Sequence, residues 1–230
     1  MQMTEETLRG LFARMVGDEK HGWAAASTLH AIWVLYERVL NVSPENIDDP
    51  DRDRFYLSKG HGPMAYYAVL AAKGFLAPEA LDTWRKWDSP LGMHPDHNLA
   101  PGVEISSGSL GHGLPLGVGT ALALRAQGRS ARVVVLMGDG EFDEGSNHET
   151  MAIAGRLGLD RLTAVVIDNK SASLGWPGGI AGRFEAEGWH ASTVDGRDHD
   201  ALYRAFTGES GGRPRVVVAE ILPVEEGSAA

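Results

Sequence analysis

The sequence predicts an α/β protein, a mostly parallel sheet with helices on both faces. Three observations carry that expectation. Apolar runs of strand length alternate with longer stretches of helical spacing along the 230 residues. The runs at 132–137 and 162–168 bracket a helical stretch at 147–157, and strand–helix–strand makes two parallel strands. No linker, repeat or block of like charge divides the chain, so 1–230 is expected to be one domain.

The elements follow in order. Thr4 is placed to cap a helix running to about residue 16, with Leu8, Leu11, Phe12 and Met15 at helical spacing. A second helical pattern covers about 24–40, and the acidic stretch 48–53 then reads as an exposed loop. A short strand at 54–57 leads into the turn SKGHG, and helices are expected at 62–73 and 79–87. DSPLGMHPDHNLAPG is a long polar loop, and long ordered loops are often functional. The Gly/Ala-rich stretch from Pro115 to Ala126 suggests a closely packed helix. After the strand at 132–137, Ser146 and Glu149 have the spacing of a capping box, and Gly158 is the expected helix stop. A strand ending near Val194, a helix at 200–206 and a last strand at 215–221 complete the pattern.

Composition removes several function classes. The net charge of −10, without a Lys/Arg cluster, would repel a nucleic-acid backbone. The start, MQMTEETLRG, is too polar for a signal peptide, and no apolar run reaches the roughly 18 residues of a membrane helix. With no cysteine there is no disulfide and no thiolate metal site, which fits a cytoplasmic protein.

The chemistry is concentrated where VVVLMGDGEFDEG drives an apolar strand into a glycine-flanked Asp139. The parallel strands at 132–137 and 162–168 end on one side of the sheet, so Asp139 and Asn169 share a rim. A carboxylate and an amide oxygen are hard ligands, suited to Mg²⁺ or Ca²⁺ and not to zinc or copper. Mg²⁺ usually completes its six oxygens from a phosphate, and a helix start near Ser146 offers N–H groups to one. The alternative is a strand-to-helix turn in which Asp is a cap. The P-loop, GxGxxG and EF-hand patterns do not fit. His61, between two glycines after a strand, is the histidine best placed for proton transfer. His30, His97, His190 and His199 read as packing or surface residues, and Trp84 and Trp87 as core or interface.

SKGHG at 58–62, MHPD at 93–96, PGVEISSGSLGHGLPLGVGTALA at 101–123 and GDGEFDEG at 138–145 resemble the N-terminal half of transketolase. Gly-Asp-Gly followed about 30 residues later by Asn is similar to the motif of thiamin-diphosphate enzymes. The resemblance runs over roughly residues 8–222 and points to the N-terminal, pyrophosphate-binding subunit of a split transketolase. It implies Mg²⁺ on Asp139, Asn169 and the Ser171 carbonyl, with Gly140 and His61 at the diphosphate of thiamin diphosphate. It implies that Gly108 and Leu110 touch the aminopyrimidine, that His21 and His94 line the substrate channel with His61, and that Glu144 joins an acidic link between paired sites. The missing pyrimidine-binding domain and its catalytic glutamate would come from a C-terminal partner subunit, in an α₂β₂ assembly.

The implied activity is transfer of a two-carbon ketol unit from a ketose phosphate. Two alternatives stay open: transfer of a two-carbon acyl unit to a lipoyl or carrier-protein thiol, and a noncatalytic cofactor-binding scaffold. Departures from the family pattern fall on the substrate side. His112 stands where Gln is usual, Gly22 replaces Pro, Ser173 replaces an aliphatic, Arg197 replaces His, and LPVEEGSAA replaces a Lys/Gly-rich segment.

Overall fold

A computed structural model describes residues 4–17 and 19–222; the side chains of residues 19–24 lie outside that description. Five strands form the sheet: β1 (Arg54–Leu57), β2 (Val133–Gly138), β3 (Leu162–Asp168), β4 (His190–Asp195) and β5 (Arg215–Glu220). Their order is β1-β2-β3-β5-β4, and each pairing is parallel. Seven α-helices accompany them among the described residues: α1 (Glu5–Ala13), α2 (Glu19–Val34), α3 (Pro63–Ala72), α4 (Gly113–Ala126), α5 (Gly145–Leu157), α6 (Gly179–Ala186) and α7 (His199–Thr207).

The central strands read as unbroken apolar runs because both faces are covered. Val134, Leu136, Val165, Ile167, Val217 and Ala219 point to one side, against α1, α2, α3 and α7. Val133, Val135, Met137, Ala164, Val166, Val216 and Val218 point to the other, against α4, α5 and α6. Handedness assigns the helices to faces. The crossovers through α5 and α6 advance along the sheet, while the one through α7 returns from β4 to β5; right-handed connections therefore put α7 on the opposite face. On α4 the close packing expected of the Gly/Ala-rich stretch is realised at Gly117, where a Cβ would overlap the Val135 side chain.

Thr4 caps α1 through its hydroxyl, accepting from the Thr7 N–H at 3.1 Å. Four expectations need correction. The second helix starts at Glu19, earlier than expected, and its end widens into a π-helical turn at Leu35–Val39. The helix expected at 79–87 is a 3₁₀ segment, Pro78–Thr83, because Arg85 and Asp88 both take a φ of 61° that a right-handed helix excludes. Helix α6 was not expected; glycines at 178, 179 and 182 hide it. The capping box does not form, because α5 begins at Gly145 and the Ser146 hydroxyl donates instead to the Gly111 carbonyl at 2.7 Å. Gly158 ends α5 in the left-handed conformation, as expected. Among the described residues no helix is long and apolar enough to cross a membrane.

Candidate active site at the carboxyl ends of the strands

The parallel register of β2 and β3 brings their carboxyl ends together, and the Asp139 N–H extends the ladder by donating to the Ile167 carbonyl at 3.0 Å. The Asp139 carboxylate is buried and meets four donors. Oδ1 accepts from the Gly140 N–H at 2.9 Å and the Ser171 hydroxyl at 2.5 Å; Oδ2 accepts from the N–H groups of Ser171 at 2.7 Å and Ala172 at 3.1 Å. None of these donors is charged. Asn169 follows β3 directly and is also buried. Its Nδ2 donates to the Ser27 hydroxyl at 3.2 Å, while its Oδ1 has no hydrogen-bond partner. A buried amide oxygen without a donor costs about 1–3 kcal/mol. A cation removes that cost, and a carboxylate with an amide oxygen is a donor set for a hard one. Asp139, Asn169 and Ser171, singled out in the sequence, thus fall on one short stretch of the rim.

A second group gathers after β1. Ser58 and Lys59 both donate their N–H groups to the Leu136 carbonyl, at 2.8 and 3.0 Å, which fixes the SKGHG turn to the end of β2. The His94 ring packs on this turn, with Nδ1 3.0 Å from the Gly60 carbonyl oxygen. A carbonyl only accepts, so Nδ1 carries the proton and Nε2 of the neutral ring is the free acceptor. The His61 and His94 ring centroids lie 6.4 Å apart. Gly108 sits against His94 at φ +125°, where a Cβ would come within 2.8 Å of the ring; only glycine serves there. A Cβ on Gly60 would meet Leu110 at 3.4 Å and His94 at 3.7 Å, so His61, His94, Gly108 and Leu110 border one crevice.

Between these groups lies a cluster that sequence reasoning missed. Glu141, just past Gly140, is buried, and its Oε1 accepts from the Ser58 hydroxyl and from the Gly111 N–H at 3.0 Å. Its Oε2 accepts from the Gly138 N–H at 3.3 Å. Ser58 Oγ in turn accepts from the Gly113 N–H at 3.0 Å. The buried Lys59 stem runs along Gly138, where an added Cβ would touch it at 3.4 Å. Burial pulls the Lys59 ammonium down to about 8, opposed by Asp139 and Glu141. Burial pushes the Glu141 carboxyl up, opposed by its hydrogen bonds and by Lys59. The available signal was a charge on each side of a glycine turn, Lys59 in SKG and Glu141 in DGE.

Glu144 is exposed at the N-terminus of α5, beside the Gly111 backbone. The side chain of His21 lies outside the described residues. His112 is exposed where α4 begins. Ser173 lines a cavity of about 340 Å³ with Asp139 and Trp176. Arg197 donates to the Leu222 carbonyl at 2.8 Å and lines a smaller cavity with Ser27, the partner of Asn169. His30 and His199 pair with each other at 2.9 Å, and Trp33 meets His199 edge-on, a packing role as expected. Trp84 is buried, whereas Trp87 is 93% exposed.

The sequence profile of a family described as the transketolase, thiamine diphosphate binding domain, matches residues 2–220. The chain belongs to this transketolase family. It is 36% identical over 206 residues to one of the apulose-4-phosphate transketolase subunits of Actinobacillus succinogenes, covering 86% of this chain and 75% of that protein. It is 58% identical over 221 residues to a protein of Rhodococcoides fascians named ferredoxin fas2, covering 96% of this chain and 73% of that one. These 230 residues hold no cysteine and so no ligands for a cysteine-bound iron–sulfur cluster. Among solved structures, the transketolase of Pichia stipitis in complex with sedoheptulose-7-phosphate superposes with a TM-score of 0.82 at 28% identity, covering 93% of this chain. The present chain spans 35% of that transketolase chain. The resemblance to the N-terminal subunit of a split transketolase is borne out by the family match and by the Actinobacillus relative, whose name makes it one subunit of such an enzyme.

Proposed function

We propose that this chain is the diphosphate-binding subunit of a two-polypeptide transketolase, which moves a two-carbon ketol unit from a ketose phosphate to an aldose acceptor. The observation that carries this reading is the partnerless, buried Asn169 Oδ1 beside a carboxylate ringed by uncharged donors. Asp139, Asn169 and the Ser171 carbonyl would hold Mg²⁺, a hard cation that would neutralise a diphosphate bound at the rim. The Gly140 backbone and His61 hold the diphosphate; Gly108 and Leu110 support the aminopyrimidine. Thiamin diphosphate, when bound, supplies the nucleophilic carbon and the electron sink for breaking the bond beside a ketose carbonyl.

The chain's own residues position and move protons. His94 donates from Nδ1 to Gly60 and so presents Nε2 to the crevice, where it takes a proton from a substrate hydroxyl and later returns it. His61, across the same crevice, and His21 are assigned the same channel. Glu144, exposed at the rim, faces the paired site. The described residues build one sheet with one layer of helices on each face, which supports 1–230 as a single domain. The Actinobacillus relative, named as one subunit of a transketolase, supports placing the glutamate that activates the cofactor on a C-terminal partner subunit, in an α₂β₂ assembly. The apulose-4-phosphate relative points to a sugar phosphate as substrate class.

The test is reconstitution. The chain alone is expected to give no ketol transfer with Mg²⁺, thiamin diphosphate and a ketose phosphate. Mixed with the C-terminal subunit, it is expected to give one complex and sustained transfer to an aldose. Turnover by the purified chain alone would overturn the two-polypeptide reading.

A further inference from the structure

Three glycine-rich segments make the crevice: SKGHG at 58–62, GSLGHG at 108–113 and GDG at 138–140. They are distant in sequence, and each lies outside helix and strand over most of its length. Glycine-rich backbone has large conformational freedom in the unfolded chain, so something must hold these segments together before a ligand arrives. The crevice side chains His61, His94 and Leu110 stand outside the hydrophobic core, and the other ties each hold one segment: Ser58 and Lys59 to the Leu136 carbonyl, Ser146 to Gly111, Ser171 to Asp139.

One side chain reaches all three. Glu141 accepts from the Ser58 hydroxyl in the first segment, from the Gly111 N–H in the second and from the Gly138 N–H in the third. The Ser58 hydroxyl accepts from the Gly113 N–H, which fastens the second segment twice. The Glu141 carbonyl accepts from Asn147 Nδ2 at 2.7 Å, tying the same residue to α5. Glu141 is 3% exposed, and both carboxylate oxygens are already engaged from inside the protein. A glutamine in its place keeps one acceptor oxygen but turns an amide N–H₂ toward a backbone N–H, because all three contacts are donors. A cation lies in its surroundings: Lys59, in the first segment, is buried with its stem alongside Gly138 and acts electrostatically on the Glu141 carboxyl. A buried carboxylate without such a cation in its surroundings would be costly.

We infer that Glu141 is the positioning residue that fastens SKGHG, GSLGHG and GDG into one preformed cradle. It acts through the backbone of its neighbours and is not a catalytic residue. The inference rests on the cofactor reading for its benefit, since a preformed cradle binds a diphosphate cofactor more tightly than a loose one. The preformation itself is a property of the unliganded chain.

Amide hydrogen exchange of the unliganded full chain, read segment by segment, tests it in wild type and Glu141→Gln. The expected result is exchange at least about tenfold faster in 58–62 and 108–113, the size of one lost charged hydrogen bond. Exchange in β3 and β5 stays as in wild type. A calorimetric titration with Mg²⁺ and thiamin diphosphate should show affinity reduced by a similar factor, and Ser58→Ala, which removes one arm of the same contact, should move both readouts in the same direction by less. Should Glu141→Gln fail to fold, Ser58→Ala decides the matter by the same two readouts. Unchanged exchange in 58–62 and 108–113 overturns the inference, and so does uniformly faster exchange in all strands, which would make Glu141 an ordinary core residue. Absence of thiamin-diphosphate binding by the wild-type chain mixed with its C-terminal partner would sink the functional reading alone, because the exchange result needs no cofactor.

Discussion

Two buried aspartates stand at opposite ends of the same strands, and their surroundings differ in kind. Asp53 precedes β1 at the amino end of the sheet and is 4% exposed; Asp139 follows β2 at the carboxyl end and is 2% exposed. Asp53 faces a guanidinium: its Oδ2 accepts from Arg132 Nη2 at 2.6 Å and Nε at 3.1 Å, and its Oδ1 from the Arg132 N–H at 2.7 Å. The Asn41 N–H completes it at 2.8 Å. Asp139 has as many hydrogen bonds, but all of them come from uncharged groups. The Lys59 ammonium in the same region acts electrostatically on both Asp139 and Glu141. Equal burial and equal hydrogen bonding therefore do not mean equal roles. Asp53 is neutralised within the fold, whereas the hydrogen bonds that orient Asp139 bring it no charge, as the Mg²⁺ role proposed for it would require.

The comparison can be broken by exchanging the charge at each end. Asp139→Asn is expected to weaken Mg²⁺-dependent thiamin-diphosphate binding by at least about a hundredfold, while the melting temperature of the unliganded chain changes little. Asp53→Asn is expected to do the reverse, with about 2–3 kcal/mol of stability lost because Arg132 keeps only part of its charge in water, and cofactor affinity unchanged. Thermal melts and calorimetric titrations of both variants check the pair. Equal loss of affinity in the two would erase the distinction.

His94→Ala sharpens the contrast within the site itself. Turnover of the reconstituted enzyme should fall by roughly 10²–10⁴, the usual effect of a lost acid–base group, with cofactor affinity nearly intact. Wild-type turnover would return His94 to packing. Gly108→Ala forces a side chain at φ +125° against the His94 ring; about 1–3 kcal/mol of stability should be lost, and turnover should drop as His94 is displaced. A crystal structure with His94 unmoved would refute the second half.

The smallest effect concerns the packing histidines. Burial lowers the His30 and His199 rings, reinforced by each other's charge for His30 and by Arg38 for His199; Glu5 opposes both. A folded-state value below the unfolded one near 6.5 means that the unfolded chain takes up the protons first. Stability is then fully present above that value and falls as pH drops through it. The melting temperature should be lower at pH 5.5 than at 7.5, and His199→Gln should reduce the difference. An identical difference in the variant would remove the pair from the pH response.

The parts of the molecule legible in the sequence are those governed by local pattern. Strands β2 and β3 and helix α5 were marked by run length and period, and their parallel pairing alone brought Asp139 and Asn169 to one rim, whereas Ser171 was legible only through the family resemblance. The association of His94 with His61 was legible only through the family resemblance, since a fold is needed to bring a loop at 93–96 onto SKGHG. Glu141 and Lys59 were not legible, because a charged residue is buried by contacts that no window of sequence contains. The Ser146 capping box failed for the same reason, as the distant Gly111 carbonyl competed for its hydroxyl. The 79–87 helix failed locally, through left-handed backbone at Arg85 and Asp88 that the residue types do not announce.

The contact between Ser58 and Glu141 closes a loop of 83 residues, and those from Asp139 to Ser171 and Ala172 close shorter ones, of 32 and 33, later in the chain. Loops of such lengths close late, because their entropy is lost before any contact repays it. During synthesis the rim cannot be finished until Ala172 has left the ribosome, although β1 and the SKGHG turn emerged more than a hundred residues earlier. The first moment at which the chain can capture its cofactor is thus a clock on its own folding.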